Sequence, residues 1–519
     1  MINRRTIVCF TRLLLWAPVI FSGCSSPTPF QELLQTQGHR YDLLIFQGNV
    51  LDGRDSIPRL ADVLIRHDSI LFIGEVDTSF IEVEQRIDAS DKFVTPGFID
   101  THAHGDPLET PGFENFLAMG VTTICLGQDG DSPEYENIRP WMEKVDSVGP
   151  GVNIAMFAGH GTLRRLSGVE YKPEPAPAEM GRMKALLADA MDVGCFGMTT
   201  GLEYTPGTYA GDEELAALAK VVGDNGGLIM SHVRNEDNDA IEASIKELLR
   251  QGRYCNVQVS HLKVVYGKGE ERAEEIIALL DSARNNSAYS VTADIYPYTA
   301  SYTGIGIVFP QWAKPPNDYE QVKRERRKEL LEFLYKKVMA RNGPEATLFG
   351  TEPYAGKTLA QVAAERGKPF EEVLLNIGPG GASGAYFVMD EALQGRLLED
   401  PNMMICSDGS PTMHHPRGYG SFAKIIEQYV QQEQRFSLAE AVRKMTSLPA
   451  RTLGLQGRGI LKAGSYADLL VFDPRKVKAR AGFSEPHRLA QGMDWVVVNG
   501  KIAFQGGHPK GRRGAVLKK

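Results

Sequence analysis

The stretch Phe98-Ile-Asp-Thr-His-Ala-His104 decides the fold. A short apolar run that stops on polar residues is the pattern of a buried parallel strand delivering side chains to a rim. His102 and His104 are two residues apart, so on an extended backbone both side chains point the same way. Alone, His-x-His describes two hydrogen-bonded or surface histidines as well as it describes a ligand pair.

Working outward, seven more runs end in the same manner: Thr122–Gly127, Asn153–Gly159, Cys195–Thr199, Gly227–His232, Val257–His261, Val291–Asp294 and Met403–Asp408. Helical patterns lie between several of them, at Glu213–Val222, Asp239–Gln251, Glu270–Arg284 and Leu438–Lys444. Eight strands alternating with helices predict an α/β fold, a TIM (β/α)8 barrel over residues 94–454. The stretch from Pro310 to Arg396 exceeds what one unit needs and predicts an insertion with a charged helix around Glu320–Lys337, a turn near Gly378 and one irregular strand. Short β-like runs recur at both ends, including Asp42–Phe46, Asp62–Arg66, Ala467–Asp473 and Asp494–Phe504. They predict a small composite β-sandwich domain built from 41–93 and 455–519.

His232, His261 and Asp408 close the fifth, sixth and eighth runs, at the barrel face where active sites are built. With His102 and His104 they form a convergent set of imidazoles and a carboxylate. That donor set suits zinc or a similar divalent ion with an open position for water.

The 519 residues are 42% hydrophobic and 24% charged, enough for a large packed core. The net charge of -8, without a basic block, excludes a nucleic-acid footprint. Six cysteines without CxxC spacing exclude a disulfide scaffold. Cys125, Cys195, Cys255 and Cys406 read as buried core. Residues 1–24 read as a secretory signal: Arg4, Arg5 and Arg12 precede an apolar run from Leu13 to Phe21 that is too short to span a bilayer. Phe21-Ser-Gly-Cys24 resembles a lipoprotein signal with Phe21 in place of the usual aliphatic residue, and 25–40 reads as a polar tether. The expectation is an exported protein anchored to a membrane through Cys24, with an ordinary cleaved signal as the alternative.

From about Tyr41 to Gly507 the chain resembles the amidohydrolase superfamily and, within it, the D-aminoacylase (N-acyl-D-amino-acid deacylase) group. The resemblance rests on Gly97–His104, Gly120-Val-Thr-Thr, Gly159-His-Gly-Thr-Leu-Arg, Thr200-Gly-Leu-Glu-Tyr-Thr-Pro-Gly, Ser231-His-Val-Arg-Asn-Glu, Ser260-His-Leu-Lys, Asp294-Ile-Tyr-Pro-Tyr, Ser407-Asp-Gly and His415-Pro-Arg. It implies hydrolysis of the amide of N-acyl-D-amino acids with one or two zinc or other divalent ions. His102 and His104 would serve one metal position, His232 and His261 the other, and Asp408 would be both ligand and general acid/base. Lys263, Tyr296, with Tyr298 as its rival, and Arg417 would hold the substrate carboxylate. Glu203 and Tyr204 would line the pocket, and His160 would make a structural hydrogen bond.

Two departures stand out. Where the group commonly has Gly-Asn-Cys-Gly, this chain has Gly127-Gln-Asp-Gly130, which makes Asp129 the ligand in place of a cysteine, a harder donor than thiolate. Cys125 would lie roughly 13 Å from Asp129 along an extended strand, too far to substitute. The segment from Asp408 to Arg417 is also shorter than usual for the group. No lysine stands at the fourth strand end, around Met198–Thr200, where hydantoinases and dihydroorotases carry a metal-bridging one. Opening of a cyclic amide, cleavage of a D-configured dipeptide, and a catalytically silent binding lipoprotein remain as alternative readings.

Overall fold

The computed structural model describes residues 28–519, so the expected leader and Cys24 lie outside the described residues. The segment read as a tether contains a helix, Pro29–Gln37, opened by a capping box: the Thr28 side chain accepts from the Gln31 backbone, and the Gln31 side chain accepts from the Thr28 N–H. No helix among the described residues is long and apolar enough to cross a membrane.

The eight expected barrel strands are present as Phe98–Asp100, Val121–Leu126, Asn153–Gly159, Gly197–Gly201, Leu228–His232, Asn256–Val259, Val291–Ile295 and Met403–Ile405, the third interrupted at Phe157. Each pairs in parallel with the next. The ring closes between strands one and eight through the Ala103–Gly409 bridge, with Asp408 N donating to His102 O at 2.8 Å and His104 N to Gly409 O at 2.8 Å. The polar residues that end these two strands are thus part of the closure.

Strand alternation separates two apolar layers. Ala155, Phe157 and Met230 pack in one cluster with Ile99 and Cys125; Ile154, Met156 and Ile229 pack in another with the surrounding helices. Those helices bury one stripe each, as in Ile241–Gln251, where Ile241, Ile245 and Leu248 are buried at i, i+4 and i+7. Cys125, Cys195, Cys255 and Cys406 are all buried free thiols.

The strands of the two chain ends join in one nine-stranded sheet, where Phe93–Pro96 pairs antiparallel with Leu469–Phe472. Leu469 and Val471 face this sheet's own core, while Leu470 and Phe472 belong to the barrel's apolar cluster, so a single strand ties the two together. The last strand, Val516–Leu517, leaves that sheet and pairs in parallel with barrel strand three.

The insertion corrects the sequence expectation. It holds two short antiparallel strands, Thr347–Phe349 and Ser383–Phe387, instead of one, and the second also pairs antiparallel with Ala300–Gly304 ahead of the insertion. The single charged helix is two, Tyr319–Glu325 and Arg327–Ala340. A separate core around Leu330, Leu334, Phe349, Leu374 and Tyr386 holds them. Strands of three to five residues are too short to display a period of two.

Asp468, buried at the start of the tying strand, pairs with Arg458 and accepts from Asn153 Nδ2 of barrel strand three at 3.2 Å and from the Asn499 N–H at 2.8 Å. Asp468→Ala leaves a buried guanidinium uncompensated and should cost about 3–5 kcal/mol. Thermal or urea unfolding should register a clearly lowered midpoint; an unchanged midpoint would show that the pair carries no stability.

Candidate active site

The strand ends bring His102, His104, His232, His261 and Asp408 to one rim, and the loop after strand two adds Asp129. His102, His104, Asp129 and Asp408 offer one group of ligand atoms; Asp129, His232 and His261 offer a second. Asp129 is common to both. Its Oδ1 lies 3.3 Å from His102 Nε2, 3.2 Å from His261 Nε2 and 3.8 Å from His232 Nδ1, and its Oδ2 lies 3.6 Å from His104 Nε2. Asp408 Oδ1 is 3.2 Å from His104 Nε2 and 3.8 Å from His102 Nε2. Neither ring nitrogen of His102 has a hydrogen-bond partner, although the side chain is fully buried. Orphaned imidazole nitrogens among carboxylates fit a divalent cation with nitrogen and oxygen ligands. Cys125, buried in the barrel core, belongs to neither group.

The backbone is forced at these positions. Asp129, His261 and Asp408 have φ of 55°, 36° and 48°, in the left-handed region that non-glycine residues avoid. Gly201 supports the turn at Asp129: a Cβ there would stand 2.0 Å from the Asp129 carbonyl oxygen, so only glycine lets the fourth strand approach.

Two buried carboxylates that the sequence reading did not single out fix the rim from below. Asp294 accepts from the His261 N–H at 2.5 Å, from Thr101 Oγ1 at 2.5 Å and from Gln258 Nε2 at 2.6 Å. Asp100 accepts from the N–H groups of His102 and Ser407 at 3.1 and 3.0 Å. Burial pushes the Asp100 carboxyl up to about 7, against the hydrogen bonds from Ser407. Asp100 and Asp294 do end apolar strands, and that position was the available signal.

Carboxylates also face the outer ring nitrogens. Glu203 Oε2 lies 3.0 Å from His232 Nε2, and Glu236 Oε1 lies 3.4 Å from His261 Nδ1. Such partners orient imidazole ligands and raise their basicity. Glu236 also pairs with Lys263 Nζ at 2.7 Å, and Lys263 Nζ lies 2.8 Å from His261 Nδ1. Glu236 was missed because no spacing rule marks it; the Ser231–Glu236 motif contains it.

Charge is balanced by neighbours against the low dielectric. Burial would raise the Asp408 carboxyl, but Arg417, with Nη1 at 2.8 Å from Oδ2, together with His261 and His104 holds it well below the usual carboxylate range. Asp129 is likewise held low, by His102 and His261 against burial. Burial and Lys263 oppose charge on His261, yet Asp408 and Asp129 push it up to about 10.

The cavity above this rim has a volume of about 990 Å³ and is lined by His104, Asp129, His232, His261, Lys263, Asp408 and Arg417, with Glu203 and Tyr204 on its wall as expected. Tyr296 lies beside both cations, its ring centroid 4.8 Å from the Arg417 guanidinium and 5.7 Å from Lys263 Nζ, with its hydroxyl buried and without a hydrogen-bond partner. Tyr302 lines the cavity. His160 makes a buried contact with Glu214 at 2.7 Å, outside the cavity. His415 meets the Ala300 carbonyl at 3.1 Å, and His487 the Met413 carbonyl at 2.8 Å.

Comparison with known proteins gives the same picture. Residues 349–504 match a model described as the amidohydrolase family. The chain is 34% identical to an N-acyl-D-glutamate deacylase of Alcaligenes xylosoxydans xylosoxydans over 92% of this chain and 97% of that one, and 32% identical to a D-aminoacylase of the same organism over 91% and 96%. The crystal structure of an N-acyl-D-glutamate deacylase from Bordetella bronchiseptica, complexed with zinc and a phosphonate mimic of the tetrahedral intermediate, superposes with a TM-score of 0.80 at 31% identity, covering 93% of this chain and 100% of that one. By fold, by the order of its rim residues and by this likeness along nearly its whole length, the chain belongs to the D-aminoacylase (N-acyl-D-amino-acid deacylase) family of amidohydrolases.

Proposed function

We propose that the protein hydrolyses the amide bond of N-acyl-D-amino acids, releasing a carboxylate and a free D-amino acid. The observation that carries this reading is the pairing of a dual metal-ligand set with two buried cations, Lys263 and Arg417, on one cavity wall. His102, His104, Asp129 and Asp408 would hold one divalent ion and Asp129, His232 and His261 a second, zinc being the ion bound in the Bordetella relative. When bound, such an ion supplies Lewis acidity at the scissile carbonyl and acidifies the attacking water.

Asp408 does the proton transfer. Its carboxylate, held ionised by Arg417 and the histidines, takes a proton from the water as oxygen bonds to the carbonyl carbon. It then delivers that proton to the amide nitrogen as the C–N bond breaks. Lys263 and Arg417 bind the substrate α-carboxylate, Arg417 through its planar fork. Glu236 keeps Lys263 extended toward the cavity, and the Tyr296 ring packs beside both cations.

The same reading includes export and a lipid anchor at Cys24, supported by the basic residues, the apolar run and the Phe21–Cys24 sequence. In a bacterium expressing the full chain, Cys24→Ser should move the protein from the membrane to the soluble fraction. A wild-type chain found soluble would contradict the anchor.

Asp408→Asn should lower kcat by about 10²–10⁴-fold on an N-acetyl-D-amino acid while the protein still takes up metal, checked by elemental analysis of the same sample. Normal turnover would remove Asp408 from the proton-transfer role. Lys263→Ala and Arg417→Ala should each raise KM by roughly 10–100-fold, the scale of a charge-assisted hydrogen bond. Because Arg417 also pairs with Asp408, its variant should lower kcat as well; an unchanged KM in Lys263→Ala would contradict the assignment.

A further inference from the structure

The two sides of the cavity differ in character, and the order of strands in the ring says which part of a substrate meets each. Lys263 follows strand six and Arg417 follows strand eight, so strand seven lies between the two cations that take the α-carboxylate. In a ring of eight, strand three stands opposite strand seven. A substrate anchored at Lys263 and Arg417, with its scissile amide at Asp408, therefore directs its acyl group across the barrel toward strands one to three.

That side is apolar. Leu108, Leu126, Pro133, Tyr135, Trp141 and Met156 line it. Leu126, Trp141 and Met156 belong to the apolar cluster shared with the barrel helices, and Leu108 packs against the same cluster. Exposure rises from Met156, fully buried, and Leu126 at 3% to Tyr135 at 50%, so the wall runs from the barrel core out to solvent. Polar groups beside it are spent locally. Arg165 pairs with Asp131 and Glu134, the Asp106 carboxylate accepts from the Leu108 N–H at 2.7 Å, and Ser132 Oγ accepts from the Gly159 N–H at 3.0 Å. The Arg165 pairs also fix the loop that carries Pro133 and Tyr135. The other side presents the polar residues Ser301, Tyr302, Thr303 and Ser383.

An acetyl group offers one methyl to such a wall. The cavity volume of about 990 Å³ is at the upper end for sites that enclose drug-sized ligands. Covering apolar surface there is worth about threefold per methylene buried, and a wall already built from core side chains gains it without an ordering cost.

We propose that this wall is an acyl-chain subsite and makes the enzyme selective for N-acyl-D-amino acids whose acyl group is an extended alkyl chain. This rests on the deacylase reading and deepens it. The test measures kcat/KM on one D-amino acid carrying an acetyl, butanoyl, hexanoyl or succinyl group, with wild type, Leu108→Asp, Tyr135→Asp and Leu108→Met, each loaded with metal. Wild type should gain roughly 100-fold from acetyl to hexanoyl. It should take succinyl, in which a carboxylate replaces the butanoyl methyl, roughly tenfold less well than butanoyl. Leu108 and Tyr135 are partly exposed loop residues, and either Asp variant should cut the hexanoyl-to-acetyl ratio by about tenfold, whereas Leu108→Met should keep it. A flat chain series, a ratio untouched by both Asp variants, or an equal loss on acetyl and hexanoyl would each overturn the proposal. If wild type releases no amine from any D substrate, the deacylase reading fails, and calorimetry with hexanoate against acetate decides separately. Tighter binding of hexanoate that Leu108→Asp weakens supports the subsite; equal binding, or a preference that Leu108→Asp leaves intact, overturns it.

Discussion

Everything at the catalytic rim depends on how the barrel closes. Strands one and eight meet through backbone bonds from Asp408 N to His102 O and from His104 N to Gly409 O. Three candidate metal ligands are thereby spliced into the seam, and none can shift without opening the ring. The left-handed backbone at Asp129, His261 and Asp408 is tolerable because closure and the buried carboxylates of Asp100 and Asp294 over-determine it. The strain holds the side chains convergent, the arrangement that a preorganised site requires.

The second constraint is electrostatic. Within a few ångströms the site gathers Asp129, Asp408, Glu236 and Glu203 among four histidines, Lys263 and Arg417. No member could be carried alone at low dielectric, and each has an opposite partner: Arg417 for Asp408, Lys263 for Glu236, imidazoles for Asp129 and Glu203. Asp129, common to both candidate ligand groups, offers a hard carboxylate donor.

The barrel and five of its candidate rim ligands were legible because His102, His104, His232, His261 and Asp408 end or follow apolar runs, so one feature marked both the strand and its rim end; Asp129, in the loop after strand two, came only from the resemblance. The composite sheet was legible from matching short strands at both termini. The insertion was not: its strands are three to five residues long, and what orders them is a local core of Leu330, Phe349 and Tyr386 contributed by distant segments. Glu236 was missed because its role comes from tertiary neighbours, Lys263 and His261.

The central claim is that this rim is a metal-dependent deacylase site for D substrates. The direct measurement is amine release from matched panels of N-acetyl-D- and N-acetyl-L-amino acids, by protein whose metal content is determined on the same preparation before and after chelation. The account predicts release from D substrates alone, abolished by chelation and restored by zinc. Release that persists without metal, or metal-loaded protein silent on the D panel, would contradict it.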